Sequence, residues 1–236
     1  MRPSRSLRVR SLKALDNISW LTTGQLEKLA AALTVTRYEK RSTIFSDQAP
    51  PDTAYILLSG VARITCARRK GRRTTAIILS PGLIPSFPAP VAGITYNFRC
   101  EAVTSCQIGT IEMNSFIKIC LGIEAVAFQH MAAGFIGRWD RVHLRCSNLI
   151  GCTLEERLAL VLLDLSENFG VPVINGGSRL TLPVRHGELA EMVGASRPRV
   201  TDHLTDFTRR HLISRQNQRF VVDDKKLKGF LAGVPS

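Results

Sequence analysis

The residues best suited to chemistry lie between Leu182 and Arg215, and they suit recognition more than catalysis. Ser196-Arg197-Pro198-Arg199 heads a run whose apolar positions, Val200, Leu204 and Phe207, recur at helical spacing. Ser196 is an N-cap residue type, and Pro198 suits a first helical turn, where its missing N–H costs nothing. The spacing therefore predicts a helix that begins with two guanidinium groups. An arginine presented this way can make a bidentate contact to guanine O6 and N7, worth about 1–3 kcal/mol of discrimination. Thr201 offers a methyl to thymine or a hydroxyl to phosphate. Asp202, one turn further, can accept a hydrogen bond from cytosine N4.

The elements that must position these side chains are legible on both sides. Glu188–Val193 reads as a short helix with Leu189, Ala190 and Val193 facing inward. Ala190 is small enough to let a second helix cross closely, and Gly194 can take the positive φ of a tight turn. Val200 then plugs the joint. A small residue, a glycine four later and a β-branched residue six after that is the spacing of a helix-turn-helix, whose second helix enters the major groove. Next, Leu212-Ile213-Ser214-Arg215 and Arg219-Phe220-Val221-Val222 flank Gln216-Asn217-Gln218 as a hairpin, a wing carrying Arg215 and Arg219. With Arg185 ahead of the first helix, the expected DNA contacts are Arg185, Ser196, Arg197, Arg199, Thr201, Asp202, Arg215 and Arg219. Two amphipathic helices around a glycine occur in many all-α domains; the basic hairpin that follows favours double-stranded DNA. No nucleophile–base set, metal motif or phosphate loop is evident, so no catalytic residue, metal or cofactor is expected, and the chain does not read as an enzyme.

Upstream the texture differs. Short β-branched and aromatic runs fill Thr34 to Ile111, separated by Pro50-Pro51-Asp52, Ser59-Gly60, Lys70-Gly71 and Ser80-Pro81-Gly82, which suggests a β-barrel or jelly roll. From about Glu112 to Leu149 the helical pattern returns without proline. Phe128, Met131, Phe135, Val142 and Leu149 recur at intervals of three, four or seven, a seam suited to pairing with a twofold mate. The alternative is a helix packed on its own barrel. Gly151 ends it, and Thr153 with Glu156 offers a capping box for the next helix. The expected fold class is α+β: a sensor barrel over 1–120 with a basic N-terminal arm, a dimerisation helix over 121–150, and a winged helix-turn-helix over 151–236.

Formal net charge is +13, which favours a polyanionic partner. The excess lies outside the reading head: residues 151–236 hold 12 Lys/Arg against 10 Asp/Glu, and residues 1–150 hold 20 against 9. Part of it is the arm (Arg2, Arg5, Arg8, Arg10, Lys13), read as frayed and solvated, with phosphate contact as the alternative. Part is the turn Arg68-Arg69-Lys70-Gly71-Arg72-Arg73, read as solvated, with flanking DNA or an acidic face of RNA polymerase as alternatives. No apolar run is long enough to span a bilayer, and no apolar stretch follows the basic N-terminus, so the expectation is a cytoplasmic protein without membrane contact. The cysteines, at 66, 100, 106, 120, 146 and 152, form no C-x-x-C pair. Buried reduced thiols are expected, with thiol-redox or metal sensing through Cys100 and Cys106 as the alternative function.

The segment Glu188-Leu-Ala-Glu-Met-Val-Gly-Ala-Ser-Arg-Pro-Arg-Val-Thr201 resembles the helix-turn-helix of the CRP/FNR (catabolite activator) regulators. Tyr55-Ile-Leu-Leu-Ser-Gly60-Val-Ala-Arg63 is similar to a glycine landmark of their cyclic-nucleotide-binding-like barrel, and Pro81-Gly82 resembles the turn opening their phosphate cassette. The resemblance implies a homodimer on a palindromic operator, with a signal passing from barrel through dimer helix to reading head. It also implies an effector pocket near Gly82, Leu83, Tyr96, Asn97 and Arg99, for a small molecule the sequence does not name.

Departures from that family are informative. Its cyclic-nucleotide binders use a glycine–glutamate–leucine run for the ribose hydroxyl and an arginine followed by Ser or Thr for the cyclic phosphate. Here the first run reads Gly82-Leu83-Ile84-Pro85, and the second pair falls on Tyr96-Asn97, or on Arg99-Cys100 if the register slips by three. Pro198 and Asp202 replace a base-reading glutamate and an arginine of the catabolite activator, so the operator should differ. The amino-terminal cysteine cluster of oxygen-sensing FNR is absent. The expected regulator is therefore not controlled by cyclic AMP in the usual way.

Overall fold

The β-branched runs between Thr34 and Glu112 pair into two four-stranded antiparallel sheets. The computed structural model describes residues 5–15, 18, 20–67, 73–84, 96–120, 125–174 and 176–233, and divides into units of residues 1–142 and 143–236. One sheet runs β1 (Thr34–Tyr38), β8 (Cys106–Glu112), β3 (Thr53–Ser59), β6 (Gly82–Leu83). The other runs β2 (Thr43–Phe45), β7 (Phe98–Ala102), β4 (Ala62–Ala67), β5 (Arg73–Leu79). Period-two alternation turns Leu57 and Ile108 of the first sheet and Ile64, Ile77 and Cys100 of the second into one buried interior. Gly60 holds the sharp β3–β4 turn at φ +92°, where a Cβ would run into the Ser105 carbonyl and the Cys106 side chain.

The outward side of β3 and β8 is also buried. Ala54, Ile56 and Ile111 pack under α1 (Arg5–Lys13), α2 (Thr23–Ala32) and α3 (Met113–Cys120). This corrects the expectation of a frayed, solvated arm for residues 5–14, while residues 1–4 lie outside the described set. Leu12 is fully buried, and Leu15, Ile18 and Leu21, each three residues on, are buried in the same cluster. An apolar side chain at every third position gives the segment a face to bury, and Arg10 and Lys13 stay exposed. Helix α2 opens with a capping box between Thr22 and Gln25. Strand β1 pairs along its whole length with β8, from Thr34↔Thr110 to Tyr38↔Cys106.

Helix α4 (Ala125–Gly151) follows α3, and residues 121–124 between them are outside the described set. The second unit contains α5 (Leu154–Phe169), opened by the expected Thr153–Glu156 capping box with both reciprocal hydrogen bonds made. Its sheet runs β11 (Ile213–Gln216), β12 (Arg219–Val222), β10 (Ser178–Leu180), β9 (Gly170–Pro172), and α8 (Asp224–Leu231) ends the unit. Between β10 and β11 lie α6 (His186–Val193) and α7 (Arg197–Arg209).

Candidate nucleic-acid interface

Helices α6 and α7 bury Leu189, Ala190, Val193, Val200, Leu204 and Phe207 against the second unit. Gly194 takes the left-handed conformation (φ +69°), and its N–H and that of Ala195 both bond to the Ala190 carbonyl, closing the turn. Val200 is fully buried at the joint. Ser196 sits at the N-cap of α7, but its side chain makes no capping bond, a departure from the expected role. Pro198 is in the first turn, as its chemistry requires.

Ser196, Arg197, Arg199 and Asp202 lie together on one exposed stretch at the start of α7. Two cations there oppose the helix macrodipole, so they do nothing for the helix itself. Neither the Arg197 nor the Arg199 guanidinium has a hydrogen-bond or ion-pair partner among the described residues, whereas that of Arg210, at the other end of α7, bonds Glu155 at 2.8 Å. A pair of exposed guanidiniums with no internal use is the arrangement an anionic ligand needs. Arg185 is exposed immediately before α6, its N–H held by the Glu188 carboxylate at 2.7 Å. Thr205, also exposed, and half-exposed His203 share α7, and the sequence reading did not single them out.

The expected wing residues divide. Arg219 donates from Nη1 to the Thr181 carbonyl at 2.6 Å, tying the wing to the segment between β10 and α6. Arg215 stays exposed, stacks its guanidinium 4.5 Å over the Phe220 ring, and meets His186 Nε2 from Nη2 at 2.6 Å. His186 Nδ1 in turn lies 2.9 Å from Thr201 Oγ1, which donates to the Arg197 carbonyl at 3.0 Å. The Thr201 hydroxyl is therefore committed within the protein, which leaves its methyl. The five histidines are scattered along the chain, and the partners of His186 come from segments 15 and 29 residues away.

Two family models match the chain. One describes a Crp-like helix-turn-helix domain and matches residues 156–229; the other, a cyclic nucleotide-binding domain, matches residues 35–122. The chain belongs to the CRP/FNR family of transcription regulators. A relative in Mycobacterium tuberculosis, described as a CRP-like cAMP-activated global transcriptional regulator, is 25% identical over 195 residues, covering 80% of this chain and 84% of its own. The nitrogen fixation regulation protein FixK of Azorhizobium caulinodans is 25% identical over 194 residues, covering 82% of this chain and 77% of its own. The c-di-GMP-responsive regulator CLP of Xanthomonas campestris superposes with a TM-score of 0.73 over 85% of this chain and 99% of its own, at 20% identity, a likeness of fold. This CRP/FNR regulator thus carries a helix-turn-helix DNA-binding domain and is not an enzyme. No helix among the described residues is long and apolar enough to cross a membrane.

In the barrel of this regulator, the five residues expected around an effector do not converge. Tyr96 alone faces the interior, where it is 4% exposed and packs with Phe45 and Phe98 at ring separations of 4.8 and 5.1 Å. Its backbone exchanges hydrogen bonds with Gln48 and Ala49, which holds it there. Asn97 is exposed. Arg99 lies on the face of β7 opposite buried Cys100, and its Nη2 bonds Asp47 Oδ1 at 3.1 Å. That guanidinium, with Arg73 as a second partner, holds the Asp47 carboxyl below its usual range, although partial burial opposes it. Leu83 packs with the cluster under the helices, on the far side of the sheet from the interior; its neighbour Ile84 is the inward residue. Gly82 is buried in β6, opposite Leu57. Residues 85–95 of the cassette and 68–72 of the basic turn lie outside the described set.

Cys100 and Cys106 are buried and suit packing, whereas Cys66, Cys120 and Cys152 are half-buried and Cys146 is exposed, a departure from the expected burial. Burial pushes Cys100 well above the ordinary thiol range, and Cys106 in the same direction; Cys120 rises to about 11. Cys106 also donates to the Val61 carbonyl at 3.2 Å. Thiol sensing needs an exposed thiolate, the opposite environment. Among the described residues no three His, Cys, Asp or Glu side chains group as a metal site.

Proposed function

We propose that this regulator acts as a homodimer on a two-fold symmetric operator, reads base edges with Arg197, Arg199 and Asp202, and works without cyclic AMP. The observation that carries the reading is the pair of unpartnered guanidiniums opening α7 against its macrodipole. Ser196 and Arg185 are assigned to phosphates on either side, Thr201 contributes its methyl, and Arg215 holds the wing against the backbone. Dimerisation is supported by α4: four of the six exposed large apolar residues among the described ones, Ile136, Leu144, Leu149 and Ile150, lie on that helix. The proposed seam comprises Phe128, Met131, Phe135, Val142 and Leu149; the first three side chains lie outside the described set, and Val142 is half-buried. The proposed domains, 1–120, 121–150 and 151–236, place that seam in the middle one.

The test is selection of bound sequences from a random duplex pool at stated salt, which should return two inverted half-sites one helical turn apart. On the selected duplex, Arg197→Ala or Arg199→Ala should each cost about 1–3 kcal/mol and relax base preference at one position per half-site. Wild-type affinity and selectivity in both variants would overturn the placement of the reading head.

A further inference from the structure

The second unit contains a junction that the DNA-reading residues do not explain. His186 opens α6, yet it touches both the recognition helix and the wing: Nδ1 meets Thr201 Oγ1 of α7 at 2.9 Å, Nε2 meets Arg215 Nη2 of β11 at 2.6 Å, and the ring stacks on Phe220 of β12 at 6.1 Å. The proton inventory fixes the tautomer. A guanidinium only donates, so Nε2 must be the acceptor. Nδ1 then carries the hydrogen and donates to Thr201 Oγ1, whose own hydrogen goes to the Arg197 carbonyl. The chain from Arg215 through His186 and Thr201 to Arg197 is complete only when the imidazole is neutral.

We infer that neutral His186 is a positioning residue for DNA recognition, locking the wing arginine to the first turn of the recognition helix, and that its protonation releases Arg215 and weakens sequence-specific binding. Protonation would place a hydrogen on Nε2 facing another donor, and a third positive charge beside two. The charges acting on the ring come from Arg215 of β11 and Arg197 of α7. Thr201 and Phe220 are uncharged, Arg219 of β12 is turned to the Thr181 carbonyl, and Glu188 of α6 is turned back to the Arg185 amide. Burial first, then those two guanidiniums, lowers the His186 pKa below its usual range. A base with a depressed folded value is neutral and unpenalised at high pH. In the folded protein the ring protonates, and the junction breaks, only as pH falls through this lowered value. The acid side is therefore where binding is lost.

This inference rests on the DNA-reading proposal, and the experiment separates the two. Affinities of the full-length protein for the selected duplex and for a scrambled duplex are measured from pH 8 to pH 5.5, for wild type, His186→Gln, His186→Ala, Arg215→Ala and His186→Ala/Arg215→Ala. The wild type should lose about tenfold in the ratio of specific to scrambled affinity toward the acid end. Glutamine can accept and donate at once but does not titrate, so His186→Gln should bind like wild type at pH 8 with a flatter pH profile. His186→Ala should lose about tenfold at pH 8, and adding Arg215→Ala should cost little more, because the pair acts as one unit. A wild-type pH profile in His186→Gln, or additive losses in the double variant, would overturn it. If Arg197→Ala also left binding unchanged, the DNA-reading proposal itself would fall; if Arg197→Ala bound weakly while the His186 variants matched wild type, only this inference would.

Discussion

Replacing Val142 by aspartate is expected to give a monomer whose hold on its operator falls by about two orders of magnitude or more. Val142 and Leu149 lie seven residues apart and so share one line along α4, the line the proposed seam follows. In a two-fold interface a residue near the axis meets its own copy, so one substitution brings two carboxylates together in an apolar seam. Burying an unpaired charge costs several kcal/mol, more than the loss of two methyl groups. With the partner gone, the second half-site must be bound as an independent event, and the effective-concentration advantage of about two to four decades disappears. The fold of each unit should survive, because Val142 is at the edge of the first unit and lies outside both buried clusters of the barrel. Sedimentation equilibrium with unchanged far-UV circular dichroism would read the dissociation directly. An intact dimer with wild-type operator affinity would remove α4 as the seam.

The second large effect is an absence: calorimetry with cyclic AMP or cyclic GMP should show no binding in the micromolar range. A cyclic phosphate buried in a barrel needs a guanidinium, because an unpaired charge there is costly and arginine supplies bidentate hydrogen bonds. The position for it holds Tyr96, which is packed among aromatic rings, while Asn97 is exposed. Arg99 cannot substitute without leaving Asp47, and turning it inward would turn Cys100 outward, since neighbouring strand residues point to opposite faces. The ribose side fares no better: Leu83 carries no acceptor and faces the helical cluster. Each missing charged hydrogen bond costs about 1.5–3 kcal/mol, and two of them would weaken a micromolar site by about two to four decades. Micromolar binding of either nucleotide would show that the barrel is read in the wrong register.

Much of this molecule is written in short-range signals. The Thr153–Glu156 capping box, Gly194 in a left-handed turn, Pro198 in a first turn and the spacing Ala190–Gly194–Val200 act within a few residues, and their geometry is imposed by backbone sterics and local hydrogen bonds. The same is true of the alternation that marks the barrel strands. Such patterns determine that a helix-turn-helix follows a barrel and that two arginines open the reading helix. What they leave open is which face of a strand points inward. Alternation says that Arg99 and Cys100 are on opposite sides; only pairing with β4, where Cys100 stands opposite Ile64 in the interior, decides which is which. Leu83 and Ile84 are divided in the same way by pairing with β3. The N-terminal helix is not legible locally, because the burial of its apolar side chains at every third position depends on β3 and β8 being there to receive them. His186 is the clearest case. Nothing within its own helix distinguishes it from the other four histidines, and its role exists because the fold carries Thr201 and Arg215 to the two nitrogens of one ring. Local sterics and periodicity thus determined the elements and the reading head, while tertiary packing decided which side chains are left free to act.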